Sequence, residues 1–194
     1  MKKKTLLVLF FCLLLTGCVY KTTETNKTVG KIQTSKEANE EETKDKVIEN
    51  EVKVVPAKVG EYVEGDVWKI SLLKAKEYNS IDDKFYSDKP EVDGNKFIVL
   101  FFDVENISSS DEHFNTLYFE SYIDDYSVDE TFFINKPDNY SYLSGDVASG
   151  KKLKGYIAYE VEPNWKEIEF SYKNWVGTSG KIATFLVTPD MITE

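Results

Sequence analysis

The chain has 194 residues, and its 24 basic residues, all lysine, are outnumbered by 34 aspartates and glutamates, which gives a formal net charge of −10. This acidic balance argues against a nucleic-acid-binding protein, because binding to phosphates requires a basic stripe. Two cysteines and one histidine leave few side chains for nucleophilic catalysis or zinc binding. The length suits one globular domain of about 100–150 residues with additional segments.

The first segment of the chain has the pattern of a secretory signal peptide. Lys2–Lys4 precede the apolar run Thr5–Leu15, which is too short for a transmembrane helix, since crossing a bilayer takes about 20 apolar residues. The following Leu15–Cys18 (LTGC) resembles the lipobox of bacterial lipoproteins, in which an aliphatic residue and two small residues precede a cysteine. The alternative is an ordinary cleaved signal peptide followed by a cysteine without a role.

The lipobox resemblance implies that residues 1–17 are removed and that the Cys18 thiol carries a diacylglyceryl anchor. Processing there would remove three of the 24 lysines and none of the 34 acidic residues, so the net charge would become −13. It would also remove Cys12 and leave no free thiol and no disulfide. We therefore expect a protein that is anchored to a membrane and does not span it.

Residues 18–56 have the composition of a tether. Thr, Glu, Lys and Asn dominate this segment, and Tyr20 is its only aromatic residue. Such a segment buries too little apolar surface to offset the entropy lost on ordering, so we predict that it is disordered. A flexible coil of about 38 residues has an end-to-end distance on the order of 35 Å.

Residues 57–194 carry the period-2 patterns of β-strands. The predicted strands are 59–63, 67–78, 96–106, 117–124, 128–134, 153–161, 167–173 and 181–187. The apolar phase slips between Leu72 and Leu73, which predicts a β-bulge, and 117–124 with 128–134 predict a hairpin. Seven or eight mostly antiparallel strands without a long helix predict an all-β, immunoglobulin-like sandwich, with Trp68 or Trp165 between its sheets.

Four segments carry a resemblance to a known family: Val59–Gly60, Gly94–Asn106, Ser149–Glu162 and Ile168–Tyr172. A hydrophobic strand ending in asparagine and a glycine-led turn with a second glycine resemble the bacterial domain of unknown function 4352. The resemblance covers residues 57–189 and implies an immunoglobulin-like β-sandwich, common in exported lipoproteins of Gram-positive bacteria. Ser149 and the glycine-free hairpin at Asp124–Val128 depart from the pattern. The family has no assigned active site, so the resemblance implies fold and location only.

Few residues suggest catalysis or metal binding. His113 follows Ser108–Ser110 and two acids, but neighbours in one loop rarely reach the geometry of a catalytic triad, so we predict a solvated histidine. The pairs Asp82–Asp83, Asp124–Asp125 and Asp129–Glu130 supply oxygen ligands for calcium, although no EF-hand spacing is present. Two carboxylates would also suffice for a glycosidase, but no pair stands out. We expect no cofactor, with calcium kept as an alternative.

Aromatic and apolar residues on outward phases suggest an interaction surface. In the strand at 96–106, Phe97, Val99 and Phe101 form a second apolar phase opposite the core-facing one. A loop, neighbouring aromatics or a partner must cover them, and we expect substitutions there to cost less stability than on the core-facing phase. Tyr118 and Tyr122 flank Glu120 and are predicted to face outward, unless they merely cover the edge of their own sheet. The candidate interaction surface is therefore Phe97, Val99, Phe101, Tyr118 and Tyr122.

These patterns favour a non-catalytic binding or interaction module on the extracytoplasmic side of a Gram-positive cell membrane. Its partner would be a protein or glycan that the sequence does not identify. The alternatives are a surface hydrolase that uses carboxylates and a calcium-dependent adhesion-type module.

The anchor gives a first prediction. Cys18→Ala should release the protein from the membrane or leave it unprocessed, because the acyl chains are the membrane-retaining element after cleavage. Metabolic labelling with a fatty acid measures the modification, and the wild-type chain is the control. Equal lipid incorporation in both chains would contradict the lipobox assignment.

Overall fold

A computed structural model describes residues 28–31, 55–173 and 181–193. Cys18, the predicted signal peptide and most of the predicted tether lie outside the described residues. The described residues form fourteen β-strands and three single 3-10 turns, and they contain no α-helix. The strands are β1 (Thr28–Lys31), β2 (Glu61–Glu64), β3 (Trp68–Tyr78), β4 (Ile81–Asp82), β5 (Ser87–Asp88), β6 (Lys96–Asn106), β7 (Glu112–Phe114), β8 (Phe119–Ile123), β9 (Tyr126–Ser127), β10 (Gly145–Val147), β11 (Lys152–Val161), β12 (Ile168–Lys173), β13 (Lys181–Val187) and β14 (Ile192–Thr193). The turns are Thr116–Tyr118, Pro137–Asn139 and Pro189–Met191.

Two sheets pack face to face and enclose the main core. The larger sheet has the order β1-β2-β3-β6-β11, with β14 added in parallel to β3, and the smaller has the order β13-β12-β8-β9. Two further pairs, β4–β5 and β7–β10, lie outside these sheets. The predicted all-β, mostly antiparallel sandwich is confirmed. Its strands outnumber the predicted seven or eight, because strands of two or three residues are too short to show a period in the sequence.

Aromatic side chains from both sheets fill the main core. The Phe102 ring of β6 lies edge-on to Phe170 of β12, with 5.7 Å between centroids, and to Phe185 of β13 at 6.2 Å. The rings of Phe170 and Phe185 stack at 5.1 Å. Trp68 and Trp165 are both buried in this core, so the two candidates for the intersheet tryptophan both contribute.

The strand β3 changes partners at a bulge. Its register with β6 shifts between Leu72 and Lys74, which confirms the bulge expected from the slipped apolar phase. Before the bulge β2 pairs with residues 69–72, and after it β14 pairs with Ala75 and Lys76. The bulge thus lets one long strand hold two short neighbours along the same edge.

Residues 128–134 do not form the predicted second strand of a hairpin. The strand β8 pairs with β9, which has only two residues, and the chain then leaves the smaller sheet. It crosses to the edge of β11, where the Thr131 N–H donates to the Ala158 carbonyl at 2.7 Å. The alternating apolar pattern predicted a strand, but Phe133 instead packs on Phe97 at the outer face of the larger sheet, while Phe132 and Ile134 remain exposed.

The strand β6 is buried on both faces, and its outer face has a separate hydrophobic core. Phe97, Val99 and Phe101 are at most 2% exposed. The segment 128–144 lies over them, and the ring of its Phe133 is 4.7 Å from that of Phe97. The sequence left open whether a loop, neighbouring aromatics or a partner covers Phe97, Val99 and Phe101. In the structure, a loop of the same chain covers them with its aromatic residues.

An ionic contact holds this covering segment on the sheet. Asp138, in the left-handed conformation at φ 49°, accepts hydrogen bonds from the Lys74 ammonium (2.5 Å) and the Tyr78 hydroxyl (2.9 Å) of β3. The same ammonium lies over the Phe101 ring, 4.3 Å from its centroid, and Tyr140 packs edge-on to that ring at 4.9 Å. The hydrogen bond from Lys74 holds the pKa of the Asp138 carboxyl below its usual value, although burial opposes it.

The predicted tether contains one strand. Thr28–Lys31 forms β1 and pairs with β2 in antiparallel register, with Val29 opposite Val63. The prediction that residues 18–56 are disordered throughout does not hold for these four residues. Without β1, the strand β2 would present an unpaired edge, and backbone pairing at an edge requires little apolar sequence.

Two residues of the family pattern have clear structural roles. The buried Asn106 amide donates to the carbonyls of Ser110 (2.7 Å) and Val147 (2.8 Å), which connects the end of β6 to the loop before β7 and to the end of β10. Gly155 lies beneath Leu143, whose Cα would be 2.6 Å from a Cβ at position 155. The asparagine and the second glycine therefore serve hydrogen bonding and close packing.

The two-sided burial of β6 gives a prediction that differs from the sequence-based one. Phe101→Ala should lower the free energy of unfolding by about 3–5 kcal/mol, as much as Phe102→Ala, because each substitution leaves a cavity in a closed core. Urea titration of both variants measures this cost. Phe85→Ala is the control, since Phe85 is 91% exposed, and its cost should stay within about 0.5 kcal/mol. A Phe101→Ala cost near that of the control would mean that the covering segment does not seal the outer face.

Candidate binding cleft

A cleft of about 350 Å³ opens at the end of the sandwich where β8 and β11 finish. Its apolar wall is formed by Ile123, Tyr126, Val128, Val161 and Trp165. Its polar groups come from Asn95, Asp124, Glu160, Glu162 and Asn164. A concave site with an apolar wall and a few polar groups is the usual form of a ligand site, and this volume lies at the small end of that range.

The turn after β8 is fixed to the opposite side of the cleft by Asp124. This residue has a left-handed φ of 52°, a conformation that aspartate tolerates better than most residues. Its carboxylate accepts hydrogen bonds from the N–H groups of Lys166 (2.9 Å) and Glu167 (3.1 Å). The hairpin that lacks the usual glycine is thus stabilised by an aspartate that also links two walls of the cleft.

The loop before β6 is fixed by Glu160. Its carboxylate accepts hydrogen bonds from the N–H groups of Glu91 (2.8 Å) and Val92 (3.0 Å) and from the side-chain amide of Asn95 (2.9 Å). Burial raises the pKa of the Glu160 carboxyl, but the hydrogen bonds outweigh it and leave the pKa below its usual value. Glu160 therefore stays ionised at neutral pH.

The two aromatic residues of the cleft differ in exposure. Trp165 is 8% exposed and belongs to the main core, and its backbone N–H donates to the Glu162 carbonyl at 3.2 Å. Tyr126, at the rim, is 77% exposed. The cleft thus combines a buried indole with an exposed phenol that a ligand can contact.

The charge of the cleft is negative. Asp124, Glu160 and Glu162 contribute carboxylates, and none of the described residues that line the cleft is a lysine or a histidine. The nearby Lys96 follows Asn95 in the chain, but its ammonium pairs with Glu77 of β3.

Three residues of the candidate interaction surface lie elsewhere and are not at the protein surface. Phe97, Val99 and Phe101 belong to the outer-face core beneath the segment 128–144. The sequence placed them correctly on the face opposite the main core, but that face is filled by rings of the same chain. The outward side of the covering segment carries exposed apolar residues instead, among them Phe132 (65%).

The two predicted tyrosines differ from each other. Tyr118 lies in a 3-10 turn and packs against the core, with its ring 6.0 Å from that of Tyr172. Tyr122 is 36% exposed on the outer side of β8, as its alternation with buried Ser121 requires. It belongs to the same hairpin as Tyr126 but does not line the cleft.

The histidine and the nearby serines do not form a triad in the structure. His113 is exposed, and its Nδ1 lies 2.7 Å from a carboxylate oxygen of Asp146 on β10. The Ser108 hydroxyl donates to Asn106, and the Ser110 hydroxyl donates to Glu112. The imidazole thus has an orienting carboxylate, while these two serine hydroxyls are directed elsewhere.

The acidic pairs considered for calcium do not converge. Within the part of the chain that the structure describes, no group of three or more Asp, Glu, His or Cys side chains is arranged to hold a metal ion. Asp83 accepts hydrogen bonds from two backbone N–H groups of its own turn. Glu130 instead accepts a hydrogen bond from the Tyr142 hydroxyl, and burial raises the pKa of its carboxyl.

Sequence reasoning did not find the cleft, although it named some of its residues separately. Asp124 was considered for calcium and Trp165 for the intersheet space. Glu162–Trp165 carries a local signal, since Pro and Asn followed by Trp after a strand indicate a turn with an aromatic anchor. No pattern links this turn to Tyr126, because only the folded chain brings them together.

Comparison with known families identifies the chain. Residues 56–182 match the family model of DUF4352, a domain of unknown function. The chain belongs to this family. This confirms the resemblance predicted from the strand and turn patterns. A search of curated proteins found no match.

Three solved structures are similar to this chain. A candidate lipoprotein of Bacillus subtilis, ycdA, is 16% identical with a TM-score of 0.50, covering 64% of this chain and 37% of that one. The yjhA protein of B. subtilis (19% identical, TM-score 0.47) covers 68% of this chain and 97% of its own. A candidate lipoprotein of Staphylococcus aureus (10% identical, TM-score 0.46) covers 68% and 90%. This chain thus spans 37% of the length of ycdA, and the likeness concerns the sandwich fold alone. None of the helical turns in the described residues is long and apolar enough to cross a bilayer.

The hydrogen bonds of Glu160 give a pH-dependent prediction. Because the pKa of its carboxyl is lowered in the folded state, the stability it contributes is present above the unfolded pKa and is lost as the pH falls through the folded pKa. Glu160→Gln should therefore lower stability by about 1 kcal/mol at pH 7, and the difference from wild type should shrink below the ordinary value of 4.5. Thermal melts at a series of pH values measure it. Glu162→Gln is the matched control in the same cleft, and a Glu160→Gln difference that stays constant with pH would contradict the assignment.

Proposed function

We propose that this protein is a non-catalytic binding module, anchored by a lipid on Cys18 to the extracytoplasmic side of a membrane. The cleft beside Tyr126 and Trp165 is its binding site, and its ligand is part of a protein or glycan in the same compartment. The observation that carries this proposal is a preformed concave site whose walls are held by the hydrogen bonds of Asp124 and Glu160. Preorganised walls reduce the entropy that a ligand must offset on binding.

The anchor is supported by the lipobox residues Leu15–Cys18 and by the candidate lipoproteins of B. subtilis and S. aureus that share the fold. Twenty-three residues, 32–54, lie between β1 and the described domain.

Binding is favoured over hydrolysis by the way the cleft uses its carboxylates. Asp124 and Glu160 each accept at least two backbone N–H groups, which suits carboxylates that hold loops in place. A general acid would need a raised pKa, whereas the pKa of the Glu160 carboxyl is lowered.

Ligand binding can be tested on the full-length chain in detergent. Envelope material from the producing cells, separated into saccharide, peptide and protein fractions, is added, and the melting temperature is measured. One fraction should raise the melting temperature of wild type, and Tyr126→Ala should lose at least about half of that shift, because truncating a rim aromatic removes stacking area. Phe85→Ala, an exposed aromatic outside the cleft, is the matched control.

Mass spectrometry of the same mixtures separates the two classes of function. An unchanged ligand supports a binding module, whereas a released product would establish a hydrolase. A shift that is equally large in Tyr126→Ala would place the binding site outside the cleft.

A further inference from the structure

We propose that the cleft binds a cationic side chain, the ammonium of lysine or the guanidinium of arginine, presented by a basic peptide segment. This inference rests on the proposed function and adds the chemical class of the ligand.

The negative charge of the cleft is not compensated by its own lining residues. Three carboxylates surround a volume of about 350 Å³, and none of the described lining residues is cationic. The Lys96 ammonium pairs with Glu77. Lys166 donates its backbone N–H to Asp124, and its side chain is not among those that line the cleft. An anionic ligand would be repelled here, whereas a cation would gain attraction in a partly desolvated site.

An aromatic surface lies beside these charges. Tyr126 and Trp165 line the same cleft, and a cation within about 6 Å of such a ring is attracted by its negative face. The described residues already contain such contacts, among them the Lys69 ammonium 4.0 Å from the Tyr62 ring centroid and the Lys74 ammonium 4.3 Å from that of Phe101. A carboxylate beside an aromatic ring matches a lysine or arginine with its apolar stem and charged end.

The carboxylates of the cleft differ in whether they are already hydrogen-bonded within the protein. Asp124 and Glu160 are already bonded to backbone N–H groups and supply a fixed negative field. Glu162 is exposed at the same cleft. We therefore assign Glu162 as the direct ionic partner of the ligand and Tyr126 as its aromatic cover.

The test uses the full-length chain in detergent and three small peptides. The probes are acetyl-Gly-Lys-Gly-amide, the same peptide with an acetylated lysine side chain, and acetyl-Gly-Glu-Gly-amide. Two-dimensional ¹H–¹⁵N NMR follows the Trp165 indole N–H, which is identified by its loss in Trp165→Phe. The lysine peptide should shift this signal in a saturable way, and the other two peptides should leave it unchanged.

Variants locate the interaction. Glu162→Gln should weaken binding of the lysine peptide about three- to fivefold, as expected for one partly exposed ion pair, and added salt should weaken wild-type binding as well. Asp66→Asn, at an exposed acid in the turn after β2, is the matched control and should bind like wild type. Equal binding of the lysine and acetyl-lysine peptides would overturn the inference, as would unchanged affinity in Glu162→Gln.

The outcome for the ligand class is distinct from that for the proposed function. A neutral saccharide that shifts the Trp165 signal, in place of the lysine peptide, would refute the cationic ligand and leave the binding cleft intact. If neither the peptides nor any envelope fraction affects the cleft or its variants, both proposals fail.

Discussion

The burial of β6 on both faces is the constraint on which the rest of the structure depends. On one face, Phe102 packs against the rings of the smaller sheet. The other face carries Phe97 and Phe101, whose exposure to water would be unfavourable. A two-sheet sandwich covers only the first of these faces. The segment 128–144 covers the second face instead, so residues 128–134 do not form the second strand of the predicted hairpin.

Three acidic residues connect loops to the sandwich. The Asp138 carboxylate accepts hydrogen bonds from Lys74 and Tyr78 of β3. The Glu160 carboxylate accepts them from backbone N–H groups of the loop before β6, and the Asp124 carboxylate from those of the loop before β12. Each accepts more than one donor, which is how an ionised carboxylate replaces the hydration it loses. The predicted mature form has no disulfide. These hydrogen bonds are therefore among the contacts that connect the loops to the sandwich.

Much of the fold was accessible from sequence patterns because it depends on local periodicity. The β6 strand was predicted with its observed bounds, and the bulge in β3 was visible as a slipped apolar phase. The short pairs β4–β5 and β7–β10 were missed, since two or three residues cannot establish a period. The cleft was missed for another reason: Tyr126 lies in β9 and Trp165 in the loop before β12, and no spacing in the chain predicts that these segments meet.

The sequence by itself determined the fold class, the membership of the family and the presence of two apolar phases in Lys96–Asn106, because alternation and turn residues act over a few neighbouring positions. It also predicts a lipobox cysteine, because that motif depends only on adjacent residues. Only the tertiary structure decided what covers Phe97, Val99 and Phe101, and which carboxylates share a cleft. Those outcomes depend on long-range packing, such as that of Phe133 on Phe97, which overrides the local preference of residues 128–134 for a strand.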